Sequence, residues 1–215
     1  MNRNNIFYLF TLMTLMLGMA SCSENVEDEN EYPDWQKTNE EWYDSFFKSS
    51  KALADSGNPD WMIIRNWSYQ PNTATSADDH IVVNVLQHGT GSGCPLYTDS
   101  VRVHYRGRLL PTKNYPDGYV FDQSYTGEFN PETCVPTKFA VSGVCDGFST
   151  ALQNMRIGDH WVVYIPYKLG YGKDEQGSVP GYSTMIFEIY LAAYYRPGPL
   201  VPDYGAKESC EWIEE

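Results

Sequence analysis

Hydrophobic and polar residues alternate most regularly in the segment from Val101 to Leu109. Its odd-numbered positions hold apolar or aromatic side chains or glycine, whereas its even-numbered positions hold arginine or histidine. A period of two places successive side chains on opposite faces of a β-strand, so this segment predicts an antiparallel strand with one buried face. Shorter apolar runs predict five further strands, at residues 61–69, 80–87, 120–123, 161–165 and 185–191.

Helical patterns are confined to two segments. Thr38 and Glu41 have the spacing of a capping box, so a helix is expected to begin there and to run to about Ala54. One side of this helix would carry Trp42, Phe46, Phe47 and Leu53. We expect that side to pack on the main domain; dimerisation of two copies through it is the alternative.

The second helical segment, residues 147–156, ends before Gly158 and is surrounded by strands and turns. One short helix among antiparallel strands predicts an α+β fold, with the earlier helix as an N-terminal extension. The expected boundaries are an N-terminal helix over residues 38–60, a main domain over 61–200 and a tail over 201–215.

The N-terminal residues have the pattern of a targeting segment. Residues 6–20 are mostly apolar, too few for a comfortable membrane span but enough for a signal peptide. The small residues before Cys22 resemble a bacterial lipoprotein signal, in which the cysteine becomes the lipidated first residue; an ordinary secretory signal is the alternative. Residues 1–21 would then be the signal and 22–37 an acidic tether. The resemblance is to outer-membrane lipoproteins of the Bacteroidetes type, so an extracytoplasmic, membrane-anchored protein is expected.

Composition narrows the range of partners and cofactors. The net charge of −13 argues against nucleic-acid binding, which relies on Lys and Arg to neutralise phosphates. Aromatic residues make up 15% of the chain, which favours a compact β-rich domain or an aromatic cleft. The cysteines beyond the signal lack the spacing of metal ligands, so no metal site is expected; they are Cys94, Cys134, Cys145 and Cys210.

Seven short motifs follow one another between residues 103 and 189. They read VHYRG from Val103, VFDQS from Val120, VCDGF from Val144, MRIGD from Met155, LGYG from Leu169, VP from Val179 and MIFEI from Met185. Each is weak alone, but seven in this order resemble the FKBP-type peptidyl-prolyl cis-trans isomerases over about residues 90–192. The resemblance implies a five-stranded antiparallel sheet curved around a short helix, with an aromatic pocket between them.

The same resemblance assigns roles to residues of the pocket. It implies that the catalytic group consists of Tyr105, Phe121, Asp122, Tyr171 and Phe187, and that Val144, Cys145, Phe148 and Val179 bind the substrate. Phe148 would form the pocket floor, and the Tyr171 hydroxyl and the backbone N–H of Cys145 would meet carbonyl groups of the substrate. Taken singly, each apolar residue fits a structural core equally well.

These residue types suit rotation about an Xaa-Pro bond. The barrier of about 18–20 kcal/mol reflects lost amide resonance, and the reaction needs no nucleophile, metal or cofactor. The twisted amide has less charge separation than the planar one, so an apolar aromatic slot favours it, while a few donors fix the flanking carbonyls. Asp122 would accept a hydrogen bond, with Tyr105 as the expected donor, and would not act as an acid or base.

Several positions depart from the family pattern. Thr137 stands where an aromatic residue often lines the pocket edge, Ser178 precedes Val179 where an apolar residue is common, and Cys145 replaces Ile or Val. Cys94 and Cys134, both in expected loops, are candidates for a disulfide in an oxidising compartment, with Cys210 as the competitor. The enzyme is expected to act on proline-containing polypeptides; the alternative is a binding or chaperone lipoprotein with little isomerase activity.

Overall fold

The structure, a computed structural model, describes residues 30–196. Within this range the helices are α1 (Trp35–Asp55) and α2 (Asp146–Leu152). The strands are β1 (Trp61–Arg65), β2 (His80–Gln87), β3 (Ser100–Arg108), β4 (Val120–Gln123), β5 (Thr137–Ala140), β6 (His160–Ile165) and β7 (Met185–Tyr195). The predicted signal peptide, Cys22, most of the tether and the tail with Cys210 lie outside the described residues. None of the helices among residues 30–196 is both long and apolar enough to cross a membrane.

All the strands belong to one antiparallel sheet in the order β1–β2–β6–β7–β3, and β4 and β5 share the remaining edge of β3. Successive residues of β6 face opposite sides of this sheet. On one side Ile165 meets α2 so closely that a Cβ atom on Gly147 would lie 2.4 Å from the Ile165 Cγ2 atom. On the other side the ring of Tyr164 lies 4.3 Å from that of Phe46 in α1. The sheet therefore lies between the two helices, which confirms the predicted α+β class.

The strand count and several boundaries differ from the prediction. The sheet has seven strands where the family resemblance implied five, because β1 adds an outer edge and β4 and β5 pair separately with β3. Strand β5 was not predicted, β1 ends at Arg65 rather than Tyr69, and β7 continues to Tyr195. Helix α2 stops at Leu152, and a turn then leads to Gly158, whose φ of +87° suits glycine.

Helix α1 begins earlier than its sequence signal. It starts at Trp35, after Asp34 in the left-handed conformation, so the tether is shorter than predicted. The backbone N–H of Thr38 donates to the Asp34 carbonyl oxygen at 2.9 Å, as that of an interior helical residue does. The predicted capping box of Thr38 and Glu41 is therefore wrong. A capping box satisfies the free N–H groups of the first helical turn, and Thr38 lies after that turn.

The face that α1 buries was also only partly predicted. Leu53 is 41% exposed, and the three aromatic residues expected beside it are half-buried. The buried positions of α1 are Trp35, Asn39, Tyr43 and Ser50. Two of these are polar, so a search for apolar periodicity could not find them. The Tyr43 hydroxyl donates to the His80 carbonyl oxygen at 2.9 Å, which fixes the helix to β2 of its own chain.

The outer face of the sheet carries a covered histidine. His104 was predicted on the exposed face of β3, yet it is only 2% exposed because Phe129, from the long loop after β4, lies 5.3 Å away, ring to ring. The same Phe129 ring is 5.0 Å from that of His160. Burial lowers the pKa of His104, so the covered ring is neutral at pH 7. His160 Nε2 lies 2.8 Å from Glu188 Oε1, and this hydrogen bond lowers the pKa of Glu188.

The predicted disulfide between Cys94 and Cys134 is absent; both thiols are free, as is that of Cys145, the third cysteine of the described range. Cys94 lies near the start of β3, because its carbonyl oxygen accepts from Arg196 at the end of β7. Cys134 lies three residues before β5, whose first residue pairs with Val103 in the middle of β3.

Candidate active site

Four aromatic rings from four different elements meet on the inner side of the sheet. Phe148, on the first turn of α2, is 3% exposed. Its ring is nearly perpendicular to that of Phe187 on β7, with centroids 5.0 Å apart, and to that of Tyr105 on β3, at 6.2 Å. Phe139 of β5 adds a ring 5.4 Å from Tyr105. Such edge-to-face contacts are favourable for aromatic pairs, so the cluster forms a rigid apolar surface.

These rings surround a cavity of about 180 Å³. It is lined by Tyr105, Asp122, Phe139, Gly143, Val144, Cys145, Phe148, Tyr171 and Phe187. The volume is below the roughly 300 Å³ of the smallest drug-sized pockets, so the cavity suits one compact ring rather than a large ligand. Within residues 30–196 no group of three or more metal-ligating side chains comes together.

Gly107 allows the rings of Phe187 and Phe121 to lie directly over β3. A Cβ atom there would be 2.6 Å from a ring atom of Phe187 and 2.7 Å from one of Phe121. Real Cβ atoms do not approach other atoms so closely, so any larger residue would push the rings away. Phe121 itself is half-buried beside Phe187, with perpendicular rings 5.4 Å apart. It supports the cavity wall from behind rather than lining the cavity.

Tyr105 and Asp122 provide a polar edge to the apolar cavity. The Tyr105 hydroxyl donates to Asp122 Oδ2 at 2.8 Å, which confirms the hydrogen bond expected from the sequence. Burial raises the pKa of Tyr105, and the hydrogen bond to Asp122 raises it further, so the phenol keeps its proton at neutral pH. Asp122 is exposed, which lets water solvate its charge. Nothing in this arrangement requires Asp122 to accept a proton.

Tyr171 closes the cavity from a loop between β6 and β7. Its side chain is 42% exposed, and glycines stand on both sides of it. Gly172 has φ +77°, a conformation that glycine adopts without strain. Burial, and then the nearby Cys145 and Asp122, raise the pKa of Tyr171, so its hydroxyl is also a donor at neutral pH.

Comparison with known proteins explains this arrangement. Residues 94–192 match the family model described as FKBP-type peptidyl-prolyl cis-trans isomerase. Residues 94–192 form an FKBP-type domain. Among similar curated proteins is the FKBP-type 22 kDa peptidyl-prolyl cis-trans isomerase of Escherichia coli K12, 39% identical over 118 residues, which are 54% of this chain and 50% of that protein.

A second relative is the macrophage infectivity potentiator of Trypanosoma cruzi, 34% identical over 147 residues, which are 68% of this chain and 65% of that protein. The chain thus spans half to just under two thirds of the length of these two relatives. Among solved structures, a peptidyl-prolyl cis-trans isomerase from Pseudomonas syringae pv. tomato aligns with a TM-score of 0.48 and 28% identity. The alignment covers 72% of this chain and 94% of that one.

The cavity of the FKBP-type domain brings together most of the residues selected from the sequence. Seven line it, namely Tyr105, Asp122, Val144, Cys145, Phe148, Tyr171 and Phe187. Phe121 lies behind Phe187, as described above. Val179 does not line the cavity; it is 2% exposed and bonds through its backbone to Gln176 in a tight turn. Its side chain therefore packs into the core.

Two lining residues, Gly143 and Phe139, were not selected from the sequence, and Phe139 is the aromatic one. The sequence comparison placed Thr137 at the aromatic edge of the pocket, but the ring at that edge belongs to the residue two positions later. Thr137 and Phe139 share a face of β5, opposite Val103 and Val101 respectively. The apparent loss of an aromatic edge is thus a shift of two residues. Only the short alternation in Thr137–Ala140 hinted at it, and four residues rarely establish a strand.

Cys145 presents a neutral thiol to the cavity. It precedes α2 in extended backbone, so its amide N–H lies outside the hydrogen-bond ladder of that helix. Burial raises the pKa of the thiol to about 11, and therefore the reactive thiolate is scarce at pH 7. The side chain acts as a small apolar group, which agrees with its place in an apolar wall.

Proposed function

We propose that this chain catalyses cis–trans isomerisation of Xaa-Pro bonds in polypeptides. The observation that carries the proposal is the small aromatic cavity, closed by one hydroxyl donor from Tyr171, within an FKBP-type domain. A proline ring is compact and apolar, and the bond that must rotate lies at its nitrogen. The cavity offers that ring a dry surface while leaving the rest of the polypeptide outside.

Catalysis would come from preferential binding of the twisted amide. Phe148 would form the floor beneath the proline ring, and Phe187 and Val144 the walls, with Phe121 holding Phe187 in place. Exclusion of water disfavours the charge-separated planar amide more than the twisted one. The Tyr171 hydroxyl and the Cys145 N–H would hold the substrate carbonyls on either side of the bond. The Tyr105–Asp122 pair would orient the amide without transferring a proton.

The test of this activity is an NMR exchange or protease-coupled assay on an Xaa-Pro peptide, with the chain carrying Cys22→Ser. We expect a rate above the spontaneous one, and a large decrease for Phe121→Ala and for Tyr171→Phe. Circular dichroism of each variant checks that the fold is intact. A wild-type rate equal to the spontaneous rate would exclude the proposed activity.

We further propose that the protein is a lipoprotein of the outer membrane, anchored through Cys22 and acting on extracytoplasmic proteins. The apolar residues 6–20 and the small residues before Cys22 support this proposal. Cells grown with labelled palmitate should incorporate label into the wild-type protein and not into Cys22→Ser. Equal labelling of both proteins would contradict the anchor.

A binding role with little catalysis is the second candidate, and one surface favours it. The rings of Trp67 and Tyr97 stack 4.2 Å apart, and both remain more than a third exposed, beside the 51% exposed Leu96. Exposed apolar groups of this kind often bind other proteins. If binding is the main role, Trp67→Ala should abolish protection of an unfolded client from aggregation, whereas Phe148→Ala should leave it unchanged. If Trp67→Ala leaves the protection unchanged and Phe148→Ala abolishes it, the cavity and not this surface binds the polypeptide, which would favour the enzyme.

A further inference from the structure

Helix α1 lies outside the family-matched residues, yet it bonds to the loop that carries Tyr171. Asn39, on this helix, is 0% exposed. Its side-chain oxygen accepts from the backbone N–H of Thr184 at 2.7 Å, and its side-chain nitrogen donates to the Trp35 carbonyl oxygen at 2.8 Å. A side-chain amide is stable in the interior only when its hydrogen bonds are made. The burial of Asn39 therefore depends on its bond to the loop.

Trp35 makes a second link one turn earlier. Its indole Nε1 donates to Ser183 Oγ at 2.8 Å, and Ser183 Oγ donates in turn to the Pro180 carbonyl oxygen at 2.6 Å. The side chains of Trp35 and Ser183 are 8% and 3% exposed. The helix therefore fixes two consecutive residues, Ser183 and Thr184, at the end of the loop.

Those two residues are adjacent to the backbone that positions Tyr171. The N–H of Tyr182 donates to the Gly172 carbonyl oxygen at 2.9 Å, and a Cβ atom on Gly170 would lie 2.5 Å from the Met185 methyl group. The two neighbours of Tyr171 in the chain thus pack against residues 182–185. Tyr182 has φ +63°, which is unfavourable for a residue other than glycine, so its conformation depends on surrounding contacts.

A third contact fastens the beginning of the same loop to the segment between β1 and β2. Lys168 Nζ lies 2.6 Å from Asp78 Oδ2, in the segment before β2. The ring of Tyr167 lies 5.1 Å from that of Tyr182, so the two ends of the loop also touch. Helix α1 therefore holds the end of the loop that places Tyr171 against the cavity, while Asp78 holds its beginning.

We propose that Asn39 and Trp35 are positioning residues for Tyr171, so that helix α1 forms part of the machinery of the active site. This inference rests on the proposed isomerase function. It assigns the extension a role within its own chain, since the buried face of α1 is occupied by the domain it holds. Binding of the substrate carbonyl by the Tyr171 hydroxyl then depends on a helix that the FKBP-type domain itself does not include.

Asn39→Ala and Trp35→Phe test the proposal, the second removing the indole N–H together with part of the buried ring. Tyr43→Phe is the matched control, because it deletes a buried hydrogen bond from the same helix to β2 instead of the loop. Small displacements of a positioning group can cost up to about a hundredfold in rate, so we expect about a tenfold decrease in kcat/KM for Asn39→Ala. Tyr43→Phe should lower the melting temperature similarly while changing kcat/KM by less than about twofold.

A double-mutant cycle of Asn39→Ala with Tyr171→Phe distinguishes a positioning role of Asn39 from general destabilisation of the fold. If Asn39 acts through the Tyr171 hydroxyl, adding Asn39→Ala to Tyr171→Phe should cost much less than its tenfold effect alone. Equal losses in Asn39→Ala and Tyr43→Phe, or fully multiplicative effects with Tyr171→Phe, would overturn the proposal. If Asn39→Ala does not fold, Trp35→Phe takes its place in the cycle.

Hydrogen exchange keeps the test independent of activity. Amides of residues 170–184 should exchange faster in Asn39→Ala than in Tyr43→Phe, because only the first variant releases the loop. Unchanged exchange in this segment would overturn the inference even in an active protein. An inactive wild type with the expected exchange pattern would overturn the proposed function while supporting the positioning of the loop.

Discussion

Replacing Gly107 by alanine tests the packing beneath the proposed site most directly. The added methyl group would lie 2.6 Å from a Phe187 ring atom and 2.7 Å from a Phe121 ring atom. Ordinary carbon contacts are about 3.5–4.0 Å, so both rings must move by about 1 Å. Phe187 lines a cavity of only about 180 Å³, and a shift of this size narrows it.

Two effects should follow with different magnitudes. Overpacking of a core typically costs about 1–3 kcal/mol, and 2 kcal/mol lowers the melting temperature of a domain of this size by about 4–8 °C. A displacement of about 1 Å at the reacting group should reduce kcat/KM by about tenfold, equivalent to about 1.4 kcal/mol. Urea unfolding monitored by tryptophan fluorescence measures the first effect, and the Xaa-Pro assay measures the second.

Gly143→Ala is a matched control for the loss of stability. The nearest atom to a Cβ there is 3.6 Å away, an ordinary contact, so the free energy of unfolding should change by less than about 0.5 kcal/mol. Combining Gly107→Ala with Phe121→Leu should cost less stability than the sum of the two, because the smaller side chain makes room for the methyl group. Wild-type stability and activity in Gly107→Ala would refute the reasoning about ring placement.

Three further outcomes are expected. Phe139→Ala should reduce kcat/KM by about tenfold and Thr137→Ala by less than twofold in the peptide assay. A larger loss for Thr137→Ala would mean that Thr137, and not Phe139, forms the edge of the cavity. Asp122→Asn should reduce kcat/KM by only about two- to fivefold, because the amide still accepts a hydrogen bond, and complete loss with an intact fold would contradict this role. The lowered pKa of Glu188 stabilises the fold above its unfolded value near 4.5, and this contribution disappears as pH falls through the lower folded value. Urea unfolding should therefore show the wild type more stable than Glu188→Gln at pH 6, by less than about 1 kcal/mol for a partly exposed pair with His160, and the difference should shrink as the pH falls below 4.5.

Most of the architecture could be predicted because it depends on local patterns. The alternation along β3 identified a half-buried strand, and the order of the seven motifs indicated the sheet, the short helix and the cavity between them. The hydrogen bond from Tyr105 to Asp122 was expected, since a carboxylate among aromatic residues needs a donor. Phe139 was missed because β5 is four residues long and its edge pairing with β3 is a non-local contact.

The amino-acid sequence by itself identified β3 as a strand with one apolar face and indicated which aromatic residues could form an apolar slot. Only the tertiary structure decided where the polar side chains are buried. Asn39 and His104 look like surface residues along the chain, yet one is covered by the Tyr171 loop and the other by Phe129. It also left the thiols of Cys94 and Cys134 unpaired. Periodicity reports the environment of neighbours in sequence, whereas burial of a polar group depends on a partner that only the folded chain brings near.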